Sequence, residues 1–153
     1  EEALRALQPV SRDNARTPYQ WDDSENAGFT TGKPWFYVNE NYVDVNVASQ
    51  ENDPDSVLNF YRKAIELRKE LSCVRHGSYR EFDKLSSKLY TYAREDGAQK
   101  ILVVCSFTEK EVPFKAPRGF DLAAAELILH NYPAAETQTM RPYEVRVYLW
   151  EKK

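Results

Sequence analysis

The sequence predicts an α+β chain: a long polar loop, then one long helix, then an antiparallel, sandwich-like all-β domain. Three observations predict it. Residues 11–35 follow neither a helical nor a strand period. Apolar residues between 54 and 71 recur at helical spacing. From residue 74 onward the period becomes two, and short apolar runs alternate with turn residues at near-regular intervals.

Residues 11–35 carry two arginines, a series of acid and amide side chains, two glycines and two tryptophans. A segment this polar and aromatic cannot build a packed core by itself. Long irregular segments in compact proteins are either disordered or functional loops, and Trp21, Phe29 and Trp35 argue for the second. Arginine and carboxylate groups hydrogen-bond vicinal hydroxyls, and a flat indole covers a sugar face, so the residue types suit a polyhydroxylated ligand. Spacing leaves two readings of Arg16 open: a pin that pairs with Asp13 or Asp22 to hold the loop, or a ligand contact. Trp21 and Trp35 are expected to anchor the loop as core residues, with a sugar platform as the alternative. Residues 37–47 are polar enough to continue the loop to about residue 53.

Asp53-Pro54-Asp55-Ser56 reads as a helix start, with Asp53 capping and Pro54 at the first helical position. Acid in the first turn faces the positive end of the dipole, and Arg68 and Lys69 lie at the negative end. Val57, Leu58, Tyr61, Ala64, Ile65 and Leu71 share one face, widened by Phe60 and Leu67. A helix over residues 54–71 is predicted.

Residues 78–82 and 88–94 read as paired strands around the turn 83–87. Residues 99–107 form a nearly continuous apolar strand after the turn 95–98, and 111–115 and 126–130 give two shorter ones. Val145, Val147 and Leu149 alternate with Arg146, Tyr148 and Trp150, which predicts a last strand. A fifty-residue polar loop before a single helix normally needs a scaffold to lie upon.

The chain of 153 residues is 42% hydrophobic and 29% charged with net charge −3, and no basic stripe with interleaved aromatics marks it for nucleic acid. No apolar run approaches a membrane span. Phosphate-cradling, nucleophile-elbow and zinc-helix motifs are missing from the sequence. His76 and His130 lie far apart without acidic partners at ligand spacing and read as strand-end residues, so no metal site is expected. Cys73 and Cys105 have no CxxC spacing, and Cys105, in an apolar run, reads as a buried free thiol. Two such cysteines and no secretion signal fit a reducing, cytoplasmic setting. The chain opens Glu-Glu-Ala-Leu-Arg-Ala-Leu, with Leu4 and Leu7 at helical spacing and its single methionine at Met140, so residues 1–7 read as mid-helix in a longer polypeptide.

Arg12-Asp13-Asn14-Ala15-Arg16-Thr17-Pro18-Tyr19-Gln20-Trp21, then Asn26-Ala27-Gly28-Phe29-Thr30, Pro34-Trp35 and Asn41-Tyr42, resemble the late catalytic-domain segment of α-glucosidases of glycoside hydrolase family 13. The group most resembled holds oligo-1,6-glucosidases, dextran glucosidases and trehalose-6-phosphate hydrolases. The resemblance runs on through Glu66-Leu67-Arg68-Lys69, Gly77-Ser78-Tyr79, Leu102-Val103-Val104, His130-Asn131-Tyr132 and Met140-Arg141-Pro142-Tyr143-Glu144, so it covers essentially the whole chain. Tyr19 stands where methionine is common.

The resemblance implies that residues 1–72 are the C-terminal end of a (β/α)8 catalytic barrel, an active-site loop and the last helix, and that 73–153 are a C-terminal antiparallel β-domain. Active sites of such barrels lie on loops at the C-terminal ends of the strands. It further implies retaining hydrolysis of terminal α-1,6-linked glucose, with trehalose 6-phosphate or sucrose as alternative substrates. The catalytic carboxylates would lie upstream of residue 1, so no catalytic residue and no cofactor are expected here, and the resemblance leaves calcium in the parent open. Arg16 matches the arginine that grips the terminal glucose, and Asp13, Asn14 and Trp21 would support its loop. The isolated chain is then expected to be inactive and, with surfaces bared, to self-associate. Against this stands a non-catalytic carbohydrate-binding β-module with a loop-rich leader, or a regulatory interaction domain.

Overall fold

The computed structural model describes residues 15–133 and 138–151. Internal contacts divide the chain into two compact units, one up to Phe60 and one from Tyr61.

In the first unit, 3-10 turns occupy Glu25–Gly28 and Glu40–Val43, and a short helix, α1, spans Val47–Glu51. The sequence reading placed only loop there. Helix α1 forms because Asn46 and Ser49 make a capping box: Ser49 N–H donates to Asn46 Oδ1 at 2.8 Å and Asn46 N–H to Ser49 Oγ at 3.4 Å. Its first two N–H groups are met from afar, Val47 by Gln20 O and Ala48 by Trp21 O, each at 3.0 Å. Contacts of that kind leave no local pattern for a sequence to show.

The long helix α2 spans Val57–Glu70 and starts three residues later than expected. Residues 53–56 form a turn, in which the Asp53 carboxylate accepts from Asp55 N–H at 2.9 Å. The cap is Ser56, whose Oγ accepts from Asn59 N–H at 3.2 Å, while Gln50 Oε1 accepts from Leu58 N–H at 3.1 Å. The Asn59 amide returns to Gln50 O, Glu51 O and Asp53 O. Along α2, Val57, Tyr61 and Ile65 form an exposed apolar stripe, one helical turn apart.

Among the described residues, the second unit carries a third helix, α3 (Ser72–His76), and seven strands: β1 Ser78–Phe82, β2 Leu89–Glu95, β3 Gln99–Ser106, β4 Val112–Pro113, β5 Glu126–His130, β6 Thr139–Met140 and β7 Val145–Glu151. Five pair antiparallel in the order β1-β2-β3-β7-β5, and β4 pairs with β6 as a separate ribbon. The architecture is therefore α+β with a sandwich-like β-domain. Ala93, Leu102, Val104 and Tyr148 from the sheet meet Met140 of β6 and Phe114 beside β4, with Phe82, Phe120 and Trp150 around them. On the opposite face Ile101, Val103, Val147 and Leu149 are also buried. Burial on both faces is why β3 reads as a continuous apolar run. Helix α3 packs on β2 and β3. The Arg94 guanidinium ties it down, donating to Cys73 O at 3.1 Å and Gly77 O at 2.8 Å. A Cβ on Gly77 would meet Cys73 O at 2.4 Å, so the close approach requires glycine.

The two thiols are free, but Cys73 is the buried one and Cys105 is half-buried, a correction to the reading of Cys105. It pairs with Tyr90 of β2 and Val145 of β7, near the end of β3. His130 does end a strand, whereas His76 ends α3.

Candidate functional site

The loop of the first unit is built around a left-handed turn. Asn26, Ala27 and Gly28 have φ of 56°, 58° and 64°. For the two non-glycine residues this costs about 1–2 kcal/mol each, so the surroundings must hold it. Ala27 is fully buried, its N–H donates to Ser24 O at 2.9 Å, and its carbonyl accepts from Trp21 N–H at 2.9 Å and Asp22 N–H at 3.4 Å. Asn26 Nδ2 donates to Thr30 O at 3.3 Å and Gly32 O at 3.4 Å, folding residues 30–32 back onto the turn. A Cβ on Gly28 would lie 2.7 Å from both Asp22 carboxylate oxygens.

Asp22 accepts from the hydroxyl and, at 2.9 Å, the N–H of Ser24. The Ser24 hydroxyl and then its N–H lower the Asp22 carboxyl below its ordinary value, against a smaller effect of burial. Gln20 fastens the other side of the loop by donating its amide to Val45 O.

Arg16 lies on the exposed surface beside buried Pro18. Asp13 and Asn14 fall outside the described residues, as does the helical reading of residues 1–7. The expectation that Trp21 and Trp35 are core anchors is corrected. Trp21 is 52% exposed and Trp35 75%. Trp21 is fixed by its main chain, which bonds Ala27 and Ala48, and its ring meets Tyr19 edge-on at 4.9 Å. The buried residues of these segments are small: Ala27 in the turn and Asn46 at the start of α1. Composition could not reveal that.

An open cavity of about 570 Å³ is lined by Asn26 and residues 33–38. Its aromatic wall is continuous: the rings of Trp35 and Phe36 are 5.6 Å apart and those of Phe36 and Tyr37 4.8 Å. The sequence reading marked Trp35 but missed Phe36 and Tyr37, although three consecutive aromatics in a polar loop were a visible signal. Among the described residues no group of three or more His, Cys, Asp and Glu side chains could hold a metal ion, and no helix is long and apolar enough to cross a membrane.

Residues 1–77 match the alpha-amylase family through its catalytic domain. The chain belongs to the alpha-amylase family. It is 41% identical to the oligo-1,6-glucosidase of Bacillus cereus over 152 residues, 97% of this chain and 27% of that protein. It is likewise 41% identical to the trehalose-6-phosphate hydrolase of Bacillus subtilis, over 93% of this chain and 26% of that protein. The crystal structure of Bacillus licheniformis trehalose-6-phosphate hydrolase superposes with a TM-score of 0.89 at 38% identity, over 99% of this chain and 28% of the other. The chain thus spans little more than a quarter of the length of the relatives it matches. Resemblance carried by the loop and strand motifs extends through both the family match and the β-domain beyond it.

Proposed function

We propose that this chain forms the C-terminal part of an α-glucosidase that releases terminal α-1,6-linked glucose from isomaltose-type oligosaccharides in the cytoplasm. Residues 1–72 would complete the catalytic barrel and 73–153 would be its β-domain. The observation that carries the reading is the 41% identity to an oligo-1,6-glucosidase over nearly the whole chain. The free cysteines suit the compartment. In a retaining mechanism one carboxylate forms a glycosyl-enzyme, and a carboxylic acid protonates the leaving oxygen and then activates water. Both groups would come from outside these 153 residues, so the chain alone would be inactive.

A chimera tests this: the corresponding C-terminal segment of the Bacillus cereus enzyme is replaced by this chain. Isomaltose hydrolysis with release of the retained anomer, followed by NMR, is the expected result. Preference for trehalose 6-phosphate would favour the second reading, which the Bacillus subtilis relative supports. A folded but inactive chimera would overturn both.

Within this reading Arg16 holds the terminal glucose, with Asp13, Asn14 and Trp21 supporting its loop. A guanidinium fork makes paired hydrogen bonds to vicinal hydroxyls that an ammonium cannot reproduce. Arg16→Lys in the chimera is expected to lower kcat/KM about tenfold to a hundredfold. A loss found at Arg12→Lys and not at Arg16→Lys would remove Arg16 from this role. The exposed stripe of Val57, Tyr61 and Ile65 supports self-association of the isolated chain. A monomeric sedimentation mass at high concentration would count against it.

A further inference from the structure

We propose that one internal water molecule is bound between Thr91 Oγ1 of β2 and Ser106 Oγ of β3, joining the two strands inside the core of the β-domain. This goes beyond the glucosidase reading and does not rest on it.

Thr91 is 0% exposed and Ser106 4%, and neither hydroxyl oxygen meets a hydrogen-bond partner among the described residues. A buried hydroxyl left unmet is penalised, and native proteins satisfy such groups with protein atoms or with water. The two lie on one face of the sheet. Thr91 pairs with Val104, and Ser106 stands two residues further along β3. Side chains alternate across a strand, so both hydroxyls share the face of Ala93, Leu102 and Val104, which is the core face. Phe82, opposite Thr91, and Leu89, opposite Ser106, pack against that same core. The β-domain thus seals both hydroxyls with its own residues, and further polypeptide packed on the chain would reach neither.

The spacing suits a single water. Diagonal neighbours of an antiparallel pair lie about 7–8 Å apart at Cα. A direct bond between hydroxyls needs oxygens about 2.7–2.8 Å apart, and these two make none. Two successive bonds through a water span about 5.5 Å, which bridges such a diagonal. Each hydroxyl can donate once and also accept, so a water can complete both.

The chemistry of the pair selects water over an ion. A cation would need an anionic ligand, and Glu144, whose carbonyl accepts from Ser106 N–H at 2.8 Å, already spends its carboxylate on Arg146. An ion held by two neutral hydroxyls would be a buried charge without compensation.

Denaturant unfolding of the whole chain tests the bridge in Thr91→Val, Ser106→Ala and the double variant, and oxygen-17 relaxation dispersion counts long-lived water. Each single change should lower the folding equilibrium constant about tenfold, because the water and the surviving hydroxyl lose a partner. The double change should cost clearly less than the product of the two. Its dispersion amplitude should fall by one water against the wild type. Thr91→Ser keeps the hydroxyl and should keep the water, which separates loss of the bridge from loss of packing. Two hydroxyls with no water between them give the opposite sign, since removing an unmet polar group raises stability. The proposal is overturned by that sign, by strict additivity of the single changes, or by an amplitude that the double change leaves unaltered.

Discussion

Arg146 forks the carboxylate of Glu144, with Nε 2.8 Å from Oε1 and Nη2 2.8 Å from Oε2, and both side chains are about 97% buried or more. The pair is fully enclosed by partners: Arg141 N–H donates to Glu144 Oε2 at 2.7 Å, and Arg146 Nη2 also donates to Thr139 O at 2.9 Å. It therefore joins β7, the turn before it and the β6 strand. The same turn holds Tyr143 at φ 53°, with its carbonyl accepting from the Asn131 amide at 2.9 Å and Asn131 Oδ1 accepting from Val145 N–H at 2.8 Å. The two motifs around residues 130–132 and 140–144 are thus halves of one clasp.

Removing one partner of such a pair leaves an uncompensated buried charge, so Glu144→Ala should cost about 3–5 kcal/mol at pH 7, read from denaturant unfolding. Burial pushes the Glu144 carboxyl up, but the hydrogen bonds from Arg146 and Arg141 N–H and the two guanidinium charges outweigh it, and the net shift is below 4.5. The unfolded chain then takes up the proton first. The stabilisation is complete above about 4.5 and is lost as pH falls through the lowered folded value. Unfolding free energy of the wild type should fall through this acid window, and Glu144→Gln should flatten that slope. An unchanged slope would show that the carboxylate is not the linked group.

Gly28→Ala should destabilise the first unit by about 1–3 kcal/mol. Two costs combine: a positive φ of 64° and a methyl 2.7 Å from the Asp22 oxygens. The double change Gly28→Ala with Asp22→Ala should recover the second cost and not the first. Additivity of the two single changes would mean that the contact carries no energy.

The β-domain was legible because its signals are local and periodic. The expected β1, β2, β3, β5 and β7 match the observed strands to within a residue or two, and β3 announced its double-sided burial by an unbroken run from Ile101 to Cys105. Helix α2 was legible in its apolar face but not in its start, since Asp53-Pro54 resembles a cap and the capping is done by Ser56 and Gln50. Helix α1 was not legible, because its first two N–H groups are met by Gln20 O and Trp21 O, each 27 residues away. In the loop, the residue types pointed to sugar chemistry, yet nothing local told that Trp35 would face outward while Ala27 was buried.

The corrected helix start has its own test. Ser56→Ala removes the acceptor for Asn59 N–H and the donor to Gln50 O, and should cost about 1 kcal/mol. Asp53→Ala, where among the described residues the carboxylate accepts a hydrogen bond only from Asp55 N–H, should cost less than half of that, roughly 0.5 kcal/mol or below. Denaturation midpoints at fixed slope decide between them. The reverse order would restore Asp53 as the cap.

The Cys105 thiol, half-buried between Tyr90 and Val145 on its neighbouring strands, is pushed up to about 11 by burial. Cys73 moves the same way, through burial first and the Asp96 charge second. Since the thiolate is the reactive form, only roughly a thousandth of Cys105 is reactive at pH 8 in the folded chain. Alkylation with iodoacetamide, followed by mass spectrometry, should label neither cysteine quickly under native conditions and both in urea. The same shift has a stability consequence. The unfolded thiol ionises from about 9 and the folded one only near 11, so stability is full below 9 and declines across that interval as the unfolded chain loses its proton. Cys105→Ala should remove part of the alkaline decline, and rapid native labelling of Cys105 at pH 8 would show that its thiol is not shielded by the sheet.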